Sequence, residues 1–188
     1  MDAASQYALA YALTTSAGVR ALLALAAVAV AAHFNVLHPP QGFLWLDKPL
    51  VMWILIAVAA VELVADKVPV IDHAMHFLQV ATKPAAAAIL VGGSVHAQSN
   101  EVLIGLMVVG GLNALGIHAA VATLRGASTV TTGGAGNPVV SVAEDFGAIC
   151  SLIIAFVAPI IAAILAVAFT IMLIYLARSA YRRVRPAR

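Results

Sequence analysis

The feature that most constrains this chain is its succession of apolar runs, several close to the twenty residues an α-helix needs to cross a roughly 30 Å hydrocarbon core. Six are separable, at about 16–36, 49–67, 83–95, 102–124, 139–157 and 159–178. With 63% hydrophobic residues among 188, a soluble core has no room to hide this surface, so a bilayer has to act as solvent. The fold expected is an all-α integral membrane protein with six transmembrane helices.

Local signals set the boundaries. Thr14-Thr15-Ser16-Ala17-Gly18 interrupts the start of the chain, and a first span beginning near Ser16 would carry Arg20 in its first turns. Residues 3–15 are then a continuous extension, an interfacial helix or a re-entrant half-helix. His38-Pro39-Pro40-Gln41-Gly42 begins a loop to Lys48, and Trp45 and Trp53 flank the next helix start, as interfacial aromatics do. Pro49 opens the second span and Val68-Pro69 stops it. Over 70–80, apolar residues at helical spacing face Asp72, His73, His76 and Gln79, which predicts a short interfacial helix.

The third span is short and rich in alanine and glycine, a composition that favours close helix packing and is compatible with a homo-oligomer. Residues 125–138, RGASTVTTGGAGNP, read as a polar connection, either in water or re-entrant. Residues 147–178 are one helix or two. A single helix through Pro159, at about 1.5 Å per residue, would overshoot the membrane core by roughly half, so two are preferred.

Six spans with both termini cytoplasmic place Lys67, Lys83, Arg125 and the arginine tail inside and only Lys48 outside, as the positive-inside rule requires. Five of the ten basic residues, Arg178, Arg182, Arg183, Arg185 and Arg188, lie in the last eleven positions. They suit anionic lipid at the membrane surface rather than nucleic acid. A transmembrane domain over 1–178 and a cytoplasmic tail over 179–188 follow, in a cell (inner or plasma) membrane. Six spans also allow two inverted three-helix halves, with the Thr-Thr segment at 13–18 echoed at 130–136. No Lys or Arg precedes Arg20, so no cleavable signal peptide is expected, and the lone Cys150 allows no intrachain disulfide.

The chemistry concentrates in a few charged residues, because only 10% of the chain is charged. Glu62 and Asp66, four apart, share one helix face near the end of the second span. Glu144 and Asp145 lie six residues into the fifth, where an ionised carboxylate costs up to about 2.5–3.5 kcal/mol on insertion. Acids so placed mark a cation- or proton-binding site by default. Arg20, Arg125 and Lys67 are the candidate counter-charges or gating residues. Asp72, His73, His76, His118 and Asn137 are candidate accessories, without the Cys or HExxH pattern that would specify a metal. No cofactor is expected beyond a monovalent or divalent cation. No nucleophile–base pair stands out, so an enzyme is not expected.

The run Glu62-x3-Asp66-Lys67-x-Pro69-x2-Asp72, then His118, Arg125 and Asn137, and Ser141-x2-Glu144-Asp145, resembles a family of uncharacterised bacterial integral membrane proteins over nearly the whole chain. Glu62-x3-Asp66-Lys67 is also similar to the acidic motif of small manganese/calcium–proton exchangers. Here the spacing is one residue longer, and the motif's glycine, hydroxyl and second copy are missing. The leading expectation is a small ion or solute transporter with an acidic cluster near the cytoplasmic face. The alternatives are a scaffold or lipid-handling protein with structural buried charges, and an anion pathway at 125–138.

Overall fold

The computed structural model describes residues 1–67 and 69–184, apart from the side chains of 69–77 and of 183 and 184. The described chain consists of helices and turns, with no strand among the described residues. Seven α-helices follow in order: α1 (Ala3–Val19), α2 (Ala21–His33), α3 (Pro49–Ala65), α4 (Pro69–Ser94), α5 (Asn100–Thr132), α6 (Asn137–Val157) and α7 (Pro159–Val184). A short 3-10 helix, Gln41–Asp47, precedes α3. Among the described residues three stretches, Asn100–Thr132, Asn137–Val157 and Pro159–Arg182, are long and apolar enough to cross a membrane. A fourth crossing arises if the 3-10 helix and α3, bent by 67°, act together.

The centre of the bundle is α1, which packs against α2, α4, α5, α6 and α7. Leu9, Ala10 and every residue from Ala12 to Val19 are buried. The expectation of a span starting at Ser16 is corrected. The N-cap is Asp2, whose carboxylate accepts the Ser5 N–H at 3.1 Å. Hydrogen bonds from Ser5 hold that carboxyl below the usual carboxylate range. The polar run Thr14-Thr15-Ser16 does not interrupt the helix, because its hydroxyls bond back to carbonyls one turn earlier. The break falls at Arg20, where φ −134° and ψ 91° divide α1 from α2.

Two further boundaries differ from expectation. Residues 70–80 are not a separate short helix but the first half of α4, which runs through Pro84 to Ser94. The polar connection at 125–138 shrinks to a turn at Gly133–Gly136, because α5 continues to Thr132. Thr129, Thr131 and Thr132 each donate to a carbonyl four residues back, so the hydroxyls are satisfied within the helix. Gly133, at φ +62°, supplies the left-handed residue that ends it. The segments 13–18 and 130–136 therefore occupy unlike places, one inside the central helix and the other at a helix end.

Helices α6 and α7 are two helices rather than one, divided at Ala158 with φ −144° and ψ 73°. That backbone resembles the break at Arg20. In both places the ladder ends and restarts on one residue: Arg20 N–H donates to Ser16 and its carbonyl accepts Ala24 N–H, as Ala158 does with Ile154 and Ala162.

Small residues set the helix spacing. A Cβ placed on Gly18 would lie 2.5 Å from Ile117 Cβ and 2.8 Å from the Ala114 carbonyl oxygen, so α1 touches α5 through this glycine. Gly110 sits as tightly against Val91 of α4 and Thr14 of α1. Gly18→Val should lower the thermal stability of the detergent-solubilised protein by about 1–3 kcal/mol, the usual cost of overpacking. Gly126→Ala, whose new methyl meets nothing within 4 Å, should leave the melting temperature unchanged or raised.

Candidate functional site

The break between α1 and α2 interrupts the main-chain ladder and leaves donors at the start of α2 without intrahelical partners. Glu62 of α3 meets one of them: its Oε2 accepts the Leu22 N–H at 3.3 Å. A carboxylate at a helix N-terminus is favoured both by the hydrogen bond and by the helix dipole. Glu62 is 2% exposed and lies close enough to Arg20 and Lys83 to feel both charges.

Arg20, the residue in the break, is 1% exposed and sends its guanidinium away from the helix axis into the bundle. Nη1 pairs with Asp66 Oδ2 at the end of α3. Nη2 reaches α6, at 2.7 Å from Asp145 Oδ1, 3.5 Å from Glu144 Oε2 and 3.0 Å from Ser141 Oγ. It also donates to the Ser141 carbonyl at 3.3 Å. From α5, Arg125 grips Glu144 with both Nε, at 3.0 Å, and Nη2. The same Nη2 lies 3.8 Å from Asp66 Oδ2, so one carboxylate oxygen is shared between two arginines. Lys67 closes the outer edge, donating to Asp145 Oδ2 and to the Leu63 carbonyl, each at 2.7 Å.

The seven residues expected to form the site and its counter-charges, Glu62, Asp66, Glu144, Asp145, Arg20, Arg125 and Lys67, are thus brought to one place. His118 joins through Lys83, whose Nζ is 3.1 Å from His118 Nδ1. Asn137 does not join. Its amide donates to Thr129 Oγ1 at 2.9 Å and braces the turn between α5 and α6. The side chains of Asp72, His73 and His76 lie outside the described residues. Among the described residues no three His, Cys, Asp or Glu side chains gather so as to hold a metal ion.

Lys83 and Ser141 were not among the expected site residues, although Ser141 stands in the Ser-x2-Glu-Asp motif. Lys83 reads as the charged start of a short span only while 70–80 is a separate helix. In the continuous α4 it sits mid-helix and 2% exposed. Lys83, bonded to His118, and Arg125, paired with Glu144, therefore lie within helices of the bundle, and neither counts as the cytoplasmic loop charge used to orient the chain. With Lys83 the described side chains of the cluster number four cations and four carboxylates, equal in formal charge.

Exposure falls from the edge inward. The side chain of Lys67 is 42% exposed, those of Asp145, Arg125 and Glu144 are 11–15%, and those of Arg20 and Asp66 are 1%. At the inner end a narrow polar gap is walled by Arg20, Asp66, Gln79, Lys83, His118, Arg125 and Glu144.

The profile of a family described as a domain of unknown function, DUF4126, matches residues 7–179. The chain belongs to the DUF4126 family. The match runs from α1 into α7 and contains every member of the charge cluster, so the cluster is a feature of the DUF4126 region itself. No curated protein and no solved structure matches the chain.

Removing one partner of a buried charge pair strands the other, at a typical cost of about 3–5 kcal/mol. Arg20→Gln should destabilise the solubilised protein by roughly that amount. Lys67→Met, at the half-exposed edge, should cost about 0.2–1 kcal/mol. Chemical denaturation in micelles would measure both, and equal effects would contradict the gradient of burial.

Proposed function

We propose that this DUF4126 protein is a small membrane transporter in which the charge cluster at the broken α1–α2 helix binds a cation or proton and gates its passage. One observation carries the reading: six ionisable side chains, Arg20, Asp66, Lys83, His118, Arg125 and Glu144, line a narrow polar gap inside an otherwise apolar bundle. Interrupted helices supply ion sites in transporters because their ends present unpaired main-chain groups beside polar side chains.

The pairing within the cluster sets how such a site works. Each of its described carboxylates already has a partner, so an incoming cation or proton competes with a resident arginine, lysine or main-chain N–H. Binding is then linked to opening of the contacts that hold α3, α5 and α6 on the α1–α2 break. Lys67–Asp145 is the outermost pair, and the half-exposed Lys67 is the first lock to be displaced. We place this edge, with both chain ends, on the cytoplasmic side of a six-span topology, on the strength of the arginine-rich end and the exposed Lys48 in the opposite loop.

A second reading is favoured by one fact: each of the four acids already has a partner within the protein. In that reading the charges lock the helices together and nothing crosses.

Purified protein in liposomes should show ion- or proton-dependent flux that Glu144→Gln/Asp145→Asn abolishes while a cooperative melting transition persists. A folded double variant with full flux overturns the transport reading. If instead Glu144→Gln lowers stability sharply and Arg125→Gln in the same chain restores part of it, with no flux in either protein, the charges act as a structural lock.

A further inference from the structure

A second space lies beside the cluster, between α1, α5, α6 and α7: a half-enclosed cavity of about 470 Å³. That volume falls within the roughly 300–1,000 Å³ usual for ligand sites. Its wall is mainly hydrocarbon, from side chains such as Val19, Leu124, Ile154, Leu165, Phe169 and Leu173. Four oxygen-bearing side chains touch it, and each is already satisfied. Thr15 bonds the Tyr11 carbonyl and Asn113. The Ser16 and Ser151 hydroxyls lie 2.8 Å apart and divide their two protons between each other and the Ala12 and Ala148 carbonyls. Glu144 is held by Arg125.

These facts define the occupant. Water needs two to four polar partners, and this mainly hydrocarbon wall, its hydroxyl hydrogens already spent, offers few. An empty void of this size in a close-packed bundle would forfeit a large share of its packing energy. A guest with no hydrogen-bonding groups fits, and the medium around the helices supplies one. On α6 and α7 the large apolar residues Val142, Phe146, Ile153, Ile161 and Ile164 are exposed, the surface that bilayer hydrocarbon would coat. We propose that the cavity is a binding site for one acyl chain of a membrane lipid, seated beside Glu144. Glu144 borders both the cavity and the polar gap, so the chain's presence keeps water from the face of the cluster that Arg125 does not cover.

Two residues make the site testable in the full-length protein. The single cysteine, Cys150, lines the cavity. Gly147, one turn earlier on the same face, also lines it, and a Cβ added there meets nothing within 4 Å. Gly147→Leu should therefore fill the cavity without disturbing the fold, as its melting temperature would verify.

In phospholipid bilayers, Cys150 should react with a long-chain alkyl methanethiosulfonate and resist a charged, water-soluble one. Gly147→Leu should slow the alkyl reaction about tenfold or more, since excluding even two methylenes from an apolar site has an effect of that size. Native mass spectra should show a phospholipid retained by the wild type and lost from Gly147→Leu. Equal reaction with the charged reagent would mean a water-filled cavity, and reaction with neither reagent would mean a closed one. Either result overturns the proposal, as does lipid retention or alkyl reactivity that Gly147→Leu leaves unchanged. None of these readouts depends on flux, so the proposal stands or falls separately from the transport reading.

Discussion

The ion pairs that tie α3 and α6 to the centre of this bundle converge on the guanidinium of Arg20. A fully buried arginine is costly to desolvate, and it is held here because three carboxylates and a serine, from α3 and α6, meet it together. The arrangement requires the helix break. In an unbroken α1–α2 helix, residue 20 would follow the helical path and Leu22 N–H would be bonded within the helix, leaving Glu62 without its main-chain partner. Backbone geometry, charge pairing and helix assembly are thus aspects of one constraint.

The parts of the fold that were legible in sequence are those with backbone punctuation. Pro49, Pro138 and Pro159 stand at helix starts, and α3, α6 and α7 begin where their fixed φ suits a first turn. The parts that were not legible lack such marks or carry misleading ones. Helix α1 has small, apolar and hydroxyl residues on every side, which is the pattern of a helix buried all round, yet its serine and threonines look like a cap. Pro84 suggests a boundary that α4 passes through, and the Thr/Ser run in α5 hides its polarity by bonding to its own helix.

The site was more legible than the fold, for an energetic reason. A charge in an apolar segment has to be paired wherever that segment ends up, so Arg20, Glu62, Arg125, Glu144 and Asp145 could be picked out with the helix boundaries partly wrong. Pairing partners were another matter. Ser141 contributes through a carbonyl and a hydroxyl that no composition flags, and Lys83 was assigned to a helix start that does not exist.

The shared oxygen of Asp66 and the balance of charge around it also bear on how such a sequence can change. The described side chains of the set balance in formal charge, so loss of a buried member leaves an opposite charge stranded in the bundle. Drift at these positions has to proceed by matched exchange, a carboxylate leaving with its cation, even though the two are encoded far apart, as residues 20 and 145 are. The cluster therefore ties distant stretches of the chain into one unit of inheritance.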